Sequence, residues 1–236
     1  MLIFNVFRWQ LRYKVGRYGE TMAFLSTYAP VETPIHRVSE SEIGQKLHFF
    51  ASFCPLSDFV LKRFCNNGTL QKNGIYQLID FFSLFHYKFG TTRVTNEHYW
   101  RNTLGTPEQN NWYGLTFERV CLWHVRQIVR GLRLDAIRHD YYAWRSQKSK
   151  PAVQIDLVIN RADGMVTICE MKYSKDDYTL TEGEYKKIIS RMETFQNETG
   201  YKGGVQASIV TTFSLQDNMY SEISPIPITM NELFEN

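Results

Sequence analysis

Hydrophobic and polar positions follow their clearest pattern in the second half of the chain, between residues 153 and 173. Val153–Ile159 is an almost continuous apolar run, and Met165–Tyr173 is a second one after a short polar gap. Apolar runs of this length and composition predict two strands, whose side chains point alternately to the two faces of a sheet. The intervening Ala162-Asp163-Gly164 predicts a three-residue hairpin loop with glycine in the left-handed conformation.

Both predicted strands carry charged residues in an apolar setting. The hairpin register places Asp156 directly opposite Glu170, and alternation puts Gln154 and Val158 on the face of Asp156 and Lys172 on the face of Glu170. Directly opposed side chains have Cβ atoms roughly 4.5–5.5 Å apart, so two carboxylates repel each other there unless a cation lies between them. The pair is therefore interpreted as half of a divalent-metal site, with Lys172 beside it.

Helical periodicity predicts a long amphipathic helix that opens at Asn111 or Gly114 and runs to about Leu134. Glu118 lies on its apolar stripe and is predicted to point inward, where a carboxylate needs a partner. Four arginines recur on a second, purely cationic stripe, which predicts contacts with a nucleic-acid backbone; a solvated surface is the alternative. The predicted nucleic-acid-binding residues are Arg119, Arg126, Arg130 and Arg133, with Lys187 and Arg191 of a later helix.

Weaker patterns complete the secondary-structure prediction. Two Asn-Gly turns around Thr69-Leu70-Gln71, followed by an alternating segment, resemble the wing hairpin of a winged helix. The other predicted elements are a helix from Ser39, a strand over Ile75–Ile79, a core helix over Phe81–Phe89, a polar linker over Thr91–Asn111, a helix with a buried face from Tyr185 to Phe195, a strand over Val205–Phe213 and a short last helix capped at Thr229.

Composition limits the class of protein. With 236 residues, 43% of them apolar, the chain can bury a sizeable core. Its four cysteines include no Cys-x-x-Cys pair, and two lie in apolar periodic segments, which predicts a reduced, cytoplasmic protein without structural zinc. No signal peptide or membrane span is expected. The net charge is only +3, but residues 111–150 hold eight Lys and Arg against three Asp and Glu, which predicts a polyanion beside that segment.

The arrangement of a helix with Glu118, a strand with Asp156, a strand with Glu170-Met171-Lys172, and then a helix and a strand resembles the PD-(D/E)XK nuclease superfamily. The resemblance implies an α/β fold with a restriction-endonuclease-like core, ordered helix, mixed β-sheet, helix and strand. It also implies that Asp156 and Glu170 bind Mg²⁺ or Mn²⁺, that Lys172 positions the attacking water, and that Glu118 is a third carboxylate. The proline of the superfamily motif is replaced by Ile155.

A wider resemblance covers Asn66–Phe234. It is similar to the C-terminal half of a family of prokaryotic AAA-type ATPases, in which a P-loop ATPase precedes a winged helix and a PD-(D/E)XK-like domain. This implies DNA as a partner and an ATPase that acts with the chain. No Gly-x-x-x-x-Gly-Lys-Ser/Thr is present, so the chain is expected to be a truncated member, a split gene product or a decayed copy. The segments that carry the resemblance start at Gly74, Trp112, Gln154 and Glu170.

The predicted organisation is a poorly defined segment over 1–65, a winged-helix-like module with a connecting helix over 66–99, and a nuclease-like domain over 100–236. The favoured function is metal-dependent hydrolysis of DNA. One alternative is a catalytically inactive nucleic-acid-binding or interaction module of an ATPase assembly, and another is a DNA-binding regulator that uses the wing. In a purely structural interpretation, Glu170 and Lys172 form a cross-strand ion pair on a solvated face, and the helix dipole favours Glu118 near an N-terminus.

Overall fold

The computed structural model describes residues 60–63, 75–78, 81–85, 88–89, 98–150 and 152–235. The chain divides into two compact units, Met1–Arg63 with Gln71–Trp100, and Phe64–Leu70 with Arg101–Asn236. The predicted helix from Ser39 and the predicted wing between 66 and 74 lie outside the described residues, as does most of the segment 1–65. No helix in the described ranges has the length and apolar character needed to cross a bilayer.

The described part of the chain is an α/β structure whose main sheet has five strands. In chain order the elements are β1 (Val60–Arg63), β2 (Ile75–Leu78), α1 (Phe81–Phe85), α2 (Tyr99–Asn102), α3 (Pro107–Trp123), α4 (Val125–Gly131), β3 (His139–Arg145), β4 (Gln154–Arg161), β5 (Met165–Lys172), α5 (Glu182–Thr199), β6 (Gly204–Thr211) and β7 (Ile228–Thr229), with single 3₁₀ turns at Ser221–Ile223 and Asn231–Phe234.

The first unit contains a small antiparallel pair and an aromatic cluster. β1 pairs with β2, so the strand predicted from Ile75 is present. The predicted core helix is present as α1, and the last two residues of the predicted range, Lys88 and Phe89, are in π-helical conformation. The ring centroids of Phe85, Phe89 and Trp100 lie 5.0–5.2 Å from each other, and Phe89 is buried. Edge contacts at this distance are favourable for aromatic rings, and they hold the segment after α1 together.

The main sheet is mixed and has helices on both faces. Its strand order is β3-β4-β5-β6-β7; the first three strands are antiparallel, and β6 pairs parallel with both β5 and β7. Parallel neighbours need a crossover, and α5 supplies it between β5 and β6. The predicted order of helix, mixed sheet, helix and strand is confirmed at this level.

Two layers of core enclose the sheet. α3 and α4 cover one face, where Cys121 and Cys169 are buried free thiols, as the sequence predicts for small buried residues. α5 covers the other face, where Ile188 and Phe195 are buried as predicted and the ring of Trp144 meets Phe195 edge-on at 5.3 Å. Burial of both faces explains why β4 and β5 are apolar almost throughout.

The β4–β5 hairpin has the register that its sequence predicts. Leu157 pairs with Cys169, and Asn160 pairs with Val166. Gly164 has a φ of +80°, the left-handed conformation that a three-residue loop requires and that glycine adopts without steric cost. The ladder ends at the Leu157–Cys169 pair, one position before the predicted pairing of Asp156 with Glu170.

A β-bulge interrupts β4 at Asp156. β3 and β4 pair as Tyr142 with Val158 and as Trp144 with Ile155, so one residue of β3 faces two residues of β4 between these pairs. Asp156 is the first of the two. Simple alternation predicts opposite faces for Ile155 and Val158, yet both pack in the cluster under α5. The bulge therefore changes the direction of Asp156 relative to a regular strand.

The predicted long helix is two helices, and it starts earlier than expected. Thr106 accepts a hydrogen bond from the Gln109 amide at 3.3 Å, and Pro107 occupies the first helical position, where its missing N–H costs nothing. The helix breaks at His124, whose φ of −107° and ψ of 31° are not helical. The predicted linker over Thr91–Asn111 is thus wrong, since α2 and the start of α3 lie within it.

The break also divides the predicted arginine stripe. Arg119 on α3 is buried, with 4% of its surface exposed, whereas Arg126 and Arg130 on α4 are exposed. Arg133 is exposed but lies beyond α4 with a φ of +58°. A continuous helix would have kept all four on one face; the change of direction at His124 leaves only the last three as a surface group.

Candidate active site

The four residues predicted as catalytic line a single cavity of about 670 Å³. This cavity lies where the β4–β5 ladder ends, one residue past the Leu157–Cys169 pair. Beyond that pair, β4 continues only with β3, and β5 continues with β6 as far as its last residue. The lining residues are Asn110, Gly114, Glu118, Asp156, Glu170, Met171, Lys172, Tyr173, Ser174 and Lys175.

Side chains reach the cavity from both helical layers. Val166 and Ile168 pack under α5, so Glu170 and Lys172 continue that face of β5 by alternation. Glu118 comes from α3, which covers the opposite face. These side chains line one cavity at the level where the ladder has ended, so β4 and β5 are no longer hydrogen-bonded to each other there. The structure therefore brings together the acids that the sequence assigns to one site.

Cations occupy both oxygens of the Glu170 carboxylate. The Lys172 Nζ lies 2.9 Å from Oε1, and the Arg191 Nη1 donates a hydrogen bond to Oε2. The Glu170 side chain is only 16% exposed. Glu170 and Lys172 therefore form an ion pair, but both lie on β5, so the pair is not cross-strand, and the site is partly buried instead of solvated. The added pair with Arg191 joins α5 to β5.

Arg191 is predicted from the sequence as a nucleic-acid contact, and the structure places it against Glu170 instead. It follows Ile188 by three residues and precedes Phe195 by four, the spacing of the buried stripe of α5. That spacing is the signal that this arginine faces the sheet. Lys187, its neighbour in the same prediction, is exposed.

Asp156 accepts a hydrogen bond at Oδ1 from Nε2 of the Gln154 side chain. Across the described ranges, no three Asp, Glu, His or Cys side chains are grouped closely enough to hold a metal ion. Mg²⁺ does not require three, because it is commonly held by one or two carboxylates together with waters and substrate phosphates. The hard oxygen donors that line the cavity, Glu118, Asp156 and Glu170, fit such an ion.

A second carboxylate acts on Lys172 from the start of α5. Glu184 closes the capping box with Thr181, and it also accepts a hydrogen bond from the Tyr178 hydroxyl. Burial alone would raise the pKa of Glu184, but the hydrogen bonds from Tyr178 and Thr181, with the positive charge of Lys172, hold it below its usual value. Glu170 and Glu184 therefore both attract the Lys172 ammonium group to this end of β5.

Gly114 is the one glycine inside α3, and it lines the cavity. A Cβ built there meets no atom within 4 Å, so no packing requires a glycine. Glycine within a helix costs about 0.5–1 kcal/mol relative to alanine. We expect Gly114→Ala to raise the free energy of unfolding by about that amount in a urea titration. Gly203→Ala is the control and should lower it, because its Cβ would lie 2.2 Å from a backbone oxygen.

Comparison with known proteins supplies no characterised site that could be aligned with this one. No protein-family model and no curated protein matches the chain. A crystal structure described as that of the protein of unknown function AF1548 matches 44% of this chain and 53% of its own length, with 18% sequence identity and a TM-score of 0.33. The chain thus spans about half the length of that neighbour. Since this similarity is low, function has to be argued from the site itself.

Proposed function

We propose that the chain hydrolyses phosphodiester bonds of DNA in a reaction that depends on Mg²⁺ or Mn²⁺, in the manner of the PD-(D/E)XK superfamily that its motif resembles. One observation carries the proposal: Glu118, Asp156, Glu170 and Lys172, from three separate elements, line one cavity at the end of the β4–β5 ladder. Elements far apart in sequence rarely deliver three acids and a lysine to one cavity for structural reasons alone, because like charges there repel.

The carboxylates would hold the metal ion. Asp156 and Glu170 line the same cavity and would supply two ligands, with Glu118 from α3 as a third or as a partner of a bound water. When bound, Mg²⁺ polarises the phosphate and lowers the pKa of a coordinated water. Glu170 would exchange its ion pairs for the cation, so its present partners would become free.

The cations would act on the phosphate. Lys172 is held at the cavity by Glu170 and Glu184, and its ammonium group would stabilise the negative charge that grows on the phosphate as the attacking oxygen approaches. Arg191 approaches from the other side of Glu170 and would give a second positive charge. Lys172 lines the cavity before substrate arrives and would keep the attraction of Glu184 when Glu170 binds the metal, and this preorganisation is the basis of its expected contribution.

A direct assay tests the proposal. The purified chain is incubated with linear, circular and single-stranded DNA in Mg²⁺ or Mn²⁺, with EDTA as the control, and divalent binding is measured by calorimetry. Cleavage that requires the metal supports the proposal. DNA that stays intact in both metals, with no heat of metal binding, contradicts it.

A second candidate is a nucleic-acid-binding module without catalysis. It is favoured by the Glu170 carboxylate, whose two oxygens already have cationic partners. Arg126 and Arg130 are exposed one turn apart on α4 and would bind the phosphate backbone. We expect their double replacement by alanine to reduce the log–log salt slope of DNA binding by roughly two, about one for each phosphate that is no longer neutralised.

The control for that measurement is the double replacement of Lys148 and Lys202, two exposed cations outside α4. It removes the same net charge, so it should leave the slope nearly unchanged if the position of the charges and not their sum decides binding. Equal slopes for the parent and the α4 variant would assign Arg126 and Arg130 to a solvated surface.

The resemblance to AAA-type ATPases adds a partner to the proposal. The chain contains no P-loop motif, so an ATPase that acts with it would be a separate domain or protein. Recovery of a P-loop protein with the tagged chain from native cells, and not with an unrelated protein that carries the same tag, would support this partner. Recovery of the chain alone would speak against it.

A further inference from the structure

The cavity is larger than a metal site needs, and it has lining residues besides the acids and Lys172. A volume of about 670 Å³ is in the range of sites that bind small ligands, roughly 300–1,000 Å³. Apart from Met171, these further lining residues come from α3 and from the segment after β5, and they are called here the second part of the lining: Asn110, Gly114, Tyr173, Ser174 and Lys175.

Tyr173 provides a flat surface in that part. Its ring lies 5.2 Å from the ring of Tyr113, centroid to centroid, at an angle of 35°. Partial burial, with the neighbouring Tyr113, raises the pKa of the Tyr173 hydroxyl. The chain after it is also fixed, because the Ser174 amide donates a hydrogen bond to the Thr212 hydroxyl at 2.7 Å and Thr212 donates one back to the Ser174 carbonyl. An aromatic ring held in this way is preorganised for stacking.

Gly114 leaves space open in the cavity that Tyr173 also lines. It stands one residue after Tyr113 on α3, and a Cβ there would meet no atom within 4 Å. Lys175, which is exposed, also lines the cavity and offers a positive charge two residues after Tyr173 in the sequence. A flat ring, an open slot and a cation match the three parts of a nucleotide: base, sugar and phosphate.

We infer that this part of the cavity binds one unpaired nucleotide next to the bond that is cut, with its base stacked on Tyr173, so that the preferred ligand is single-stranded DNA. The inference rests on the proposed function for the position of the cut and extends it to the substrate. Base stacking on aromatic side chains tolerates any sequence, since every base has a π face, but it requires a base that is not covered by its neighbours. A duplex keeps its bases covered and does not offer one without unpairing.

Binding of a fluorescein-labelled single-stranded oligonucleotide, and of the same sequence as a blunt duplex, tests the inference by anisotropy in EDTA and in Ca²⁺. We expect the full chain to bind the single strand more tightly than the duplex. Tyr173→Leu should weaken single-strand binding on the order of tenfold, whereas Tyr173→Phe, which keeps the ring, should bind like the parent. Trp123→Leu is the matched control, because that ring is exposed outside the cavity and its loss should change nothing.

Gly114→Leu fills the slot without disturbing the helix, since leucine is a good helix former and its Cβ meets no atom. It should weaken single-strand binding even if Tyr173→Leu proves unstable. Equal binding of single strand and duplex, or unchanged single-strand affinity in Gly114→Leu or in a folded Tyr173→Leu, would overturn the inference. DNA cleavage is measured separately. Single-strand binding that depends on Tyr173, without cleavage, would contradict the proposed hydrolase and leave the stacking inference standing. Cleavage that is unchanged in Tyr173→Leu would support the hydrolase and contradict the stacking inference.

Discussion

Lys172→Ala should slow DNA cleavage by on the order of 10²–10³-fold while leaving divalent-metal binding almost unchanged. The lysine is not a metal ligand, because an ammonium group has no lone pair to offer, and its partner Glu170 would still be present. The variant lacks only a positive charge held beside the reacting phosphate. Single-turnover cleavage and calorimetry of Mg²⁺ on the same preparation measure the two quantities.

Asp156→Ala should differ from Lys172→Ala in kind. In the proposed site it removes an oxygen ligand at the bulge of β4, so metal affinity should fall together with activity. Lys186→Ala and Asp135→Ala are the matched controls, because both residues are exposed charges outside the cavity. If Lys172→Ala cleaves like the parent, or if both variants lose metal binding equally, the assignment of separate roles fails. Contamination by another nuclease cannot reproduce such a split.

Arg119→Met should raise the free energy of unfolding by about 1–3 kcal/mol. The guanidinium is buried on α3, and none of its nitrogens has a hydrogen-bond partner in the part of the chain that the structure describes. Burial lowers the pKa of Arg119 from 12.5 to about 10, and attraction to Glu118 offsets this only in part. The charged form is therefore disfavoured in the folded chain, and an apolar side chain of similar length removes that cost.

Urea titration of the parent and of Arg119→Met measures this difference, with Arg126→Met as the control. Arg126 is exposed, so its replacement should change the stability by less than about 0.5 kcal/mol. A second signature is the pH dependence. The folded pKa lies below the unfolded one, so the parent should gain stability on the variant as the pH rises above about 10. Loss of stability in Arg119→Met would mean that the guanidinium has a hydrogen-bond partner in solution.

The hairpin is predictable from the sequence because its information is local. A three-residue loop with Gly164 in the left-handed conformation fixes the register, which the structure shows from Asn160–Val166 to Leu157–Cys169. The buried stripe of α5 is predictable for the same reason, since Ile188 and Phe195 repeat with the helical period. Local geometry of this kind needs no knowledge of what lies across the fold.

The bulge and the helix break cannot be predicted by periodicity. The bulge at Asp156 depends on how β3 aligns with β4, and nothing in β4 itself marks the extra residue. At His124 the 3.6-residue pattern continues across the break, so the pattern indicates one helix and assigns Arg119 to the wrong face. The start of α3 does carry a signal, because Thr106 before Pro107 is typical of a helix N-terminus.

The ion pair of Arg191 with Glu170 depends on tertiary structure. Its spacing from Ile188 indicates that it faces the sheet, but only the parallel crossover from β5 through α5 to β6 shows which strand it meets. The sequence therefore identifies the acids and the lysine of the candidate site, and the fold is needed to show that Glu170 already has two cationic partners.

The two buried thiols among the described residues make the opening of the core under the site measurable by chemical labelling. Only the thiolate reacts with alkylating reagents, and burial raises the pKa of Cys169 to about 12 and that of Cys121 well above its usual value. Cys169 precedes Glu170 on β5 and packs under α3 and α4, so a reagent can modify it only after this layer of the core has opened. Its rate of alkylation in the native protein, followed by peptide mass spectrometry, therefore measures how often the core beside Glu170 opens.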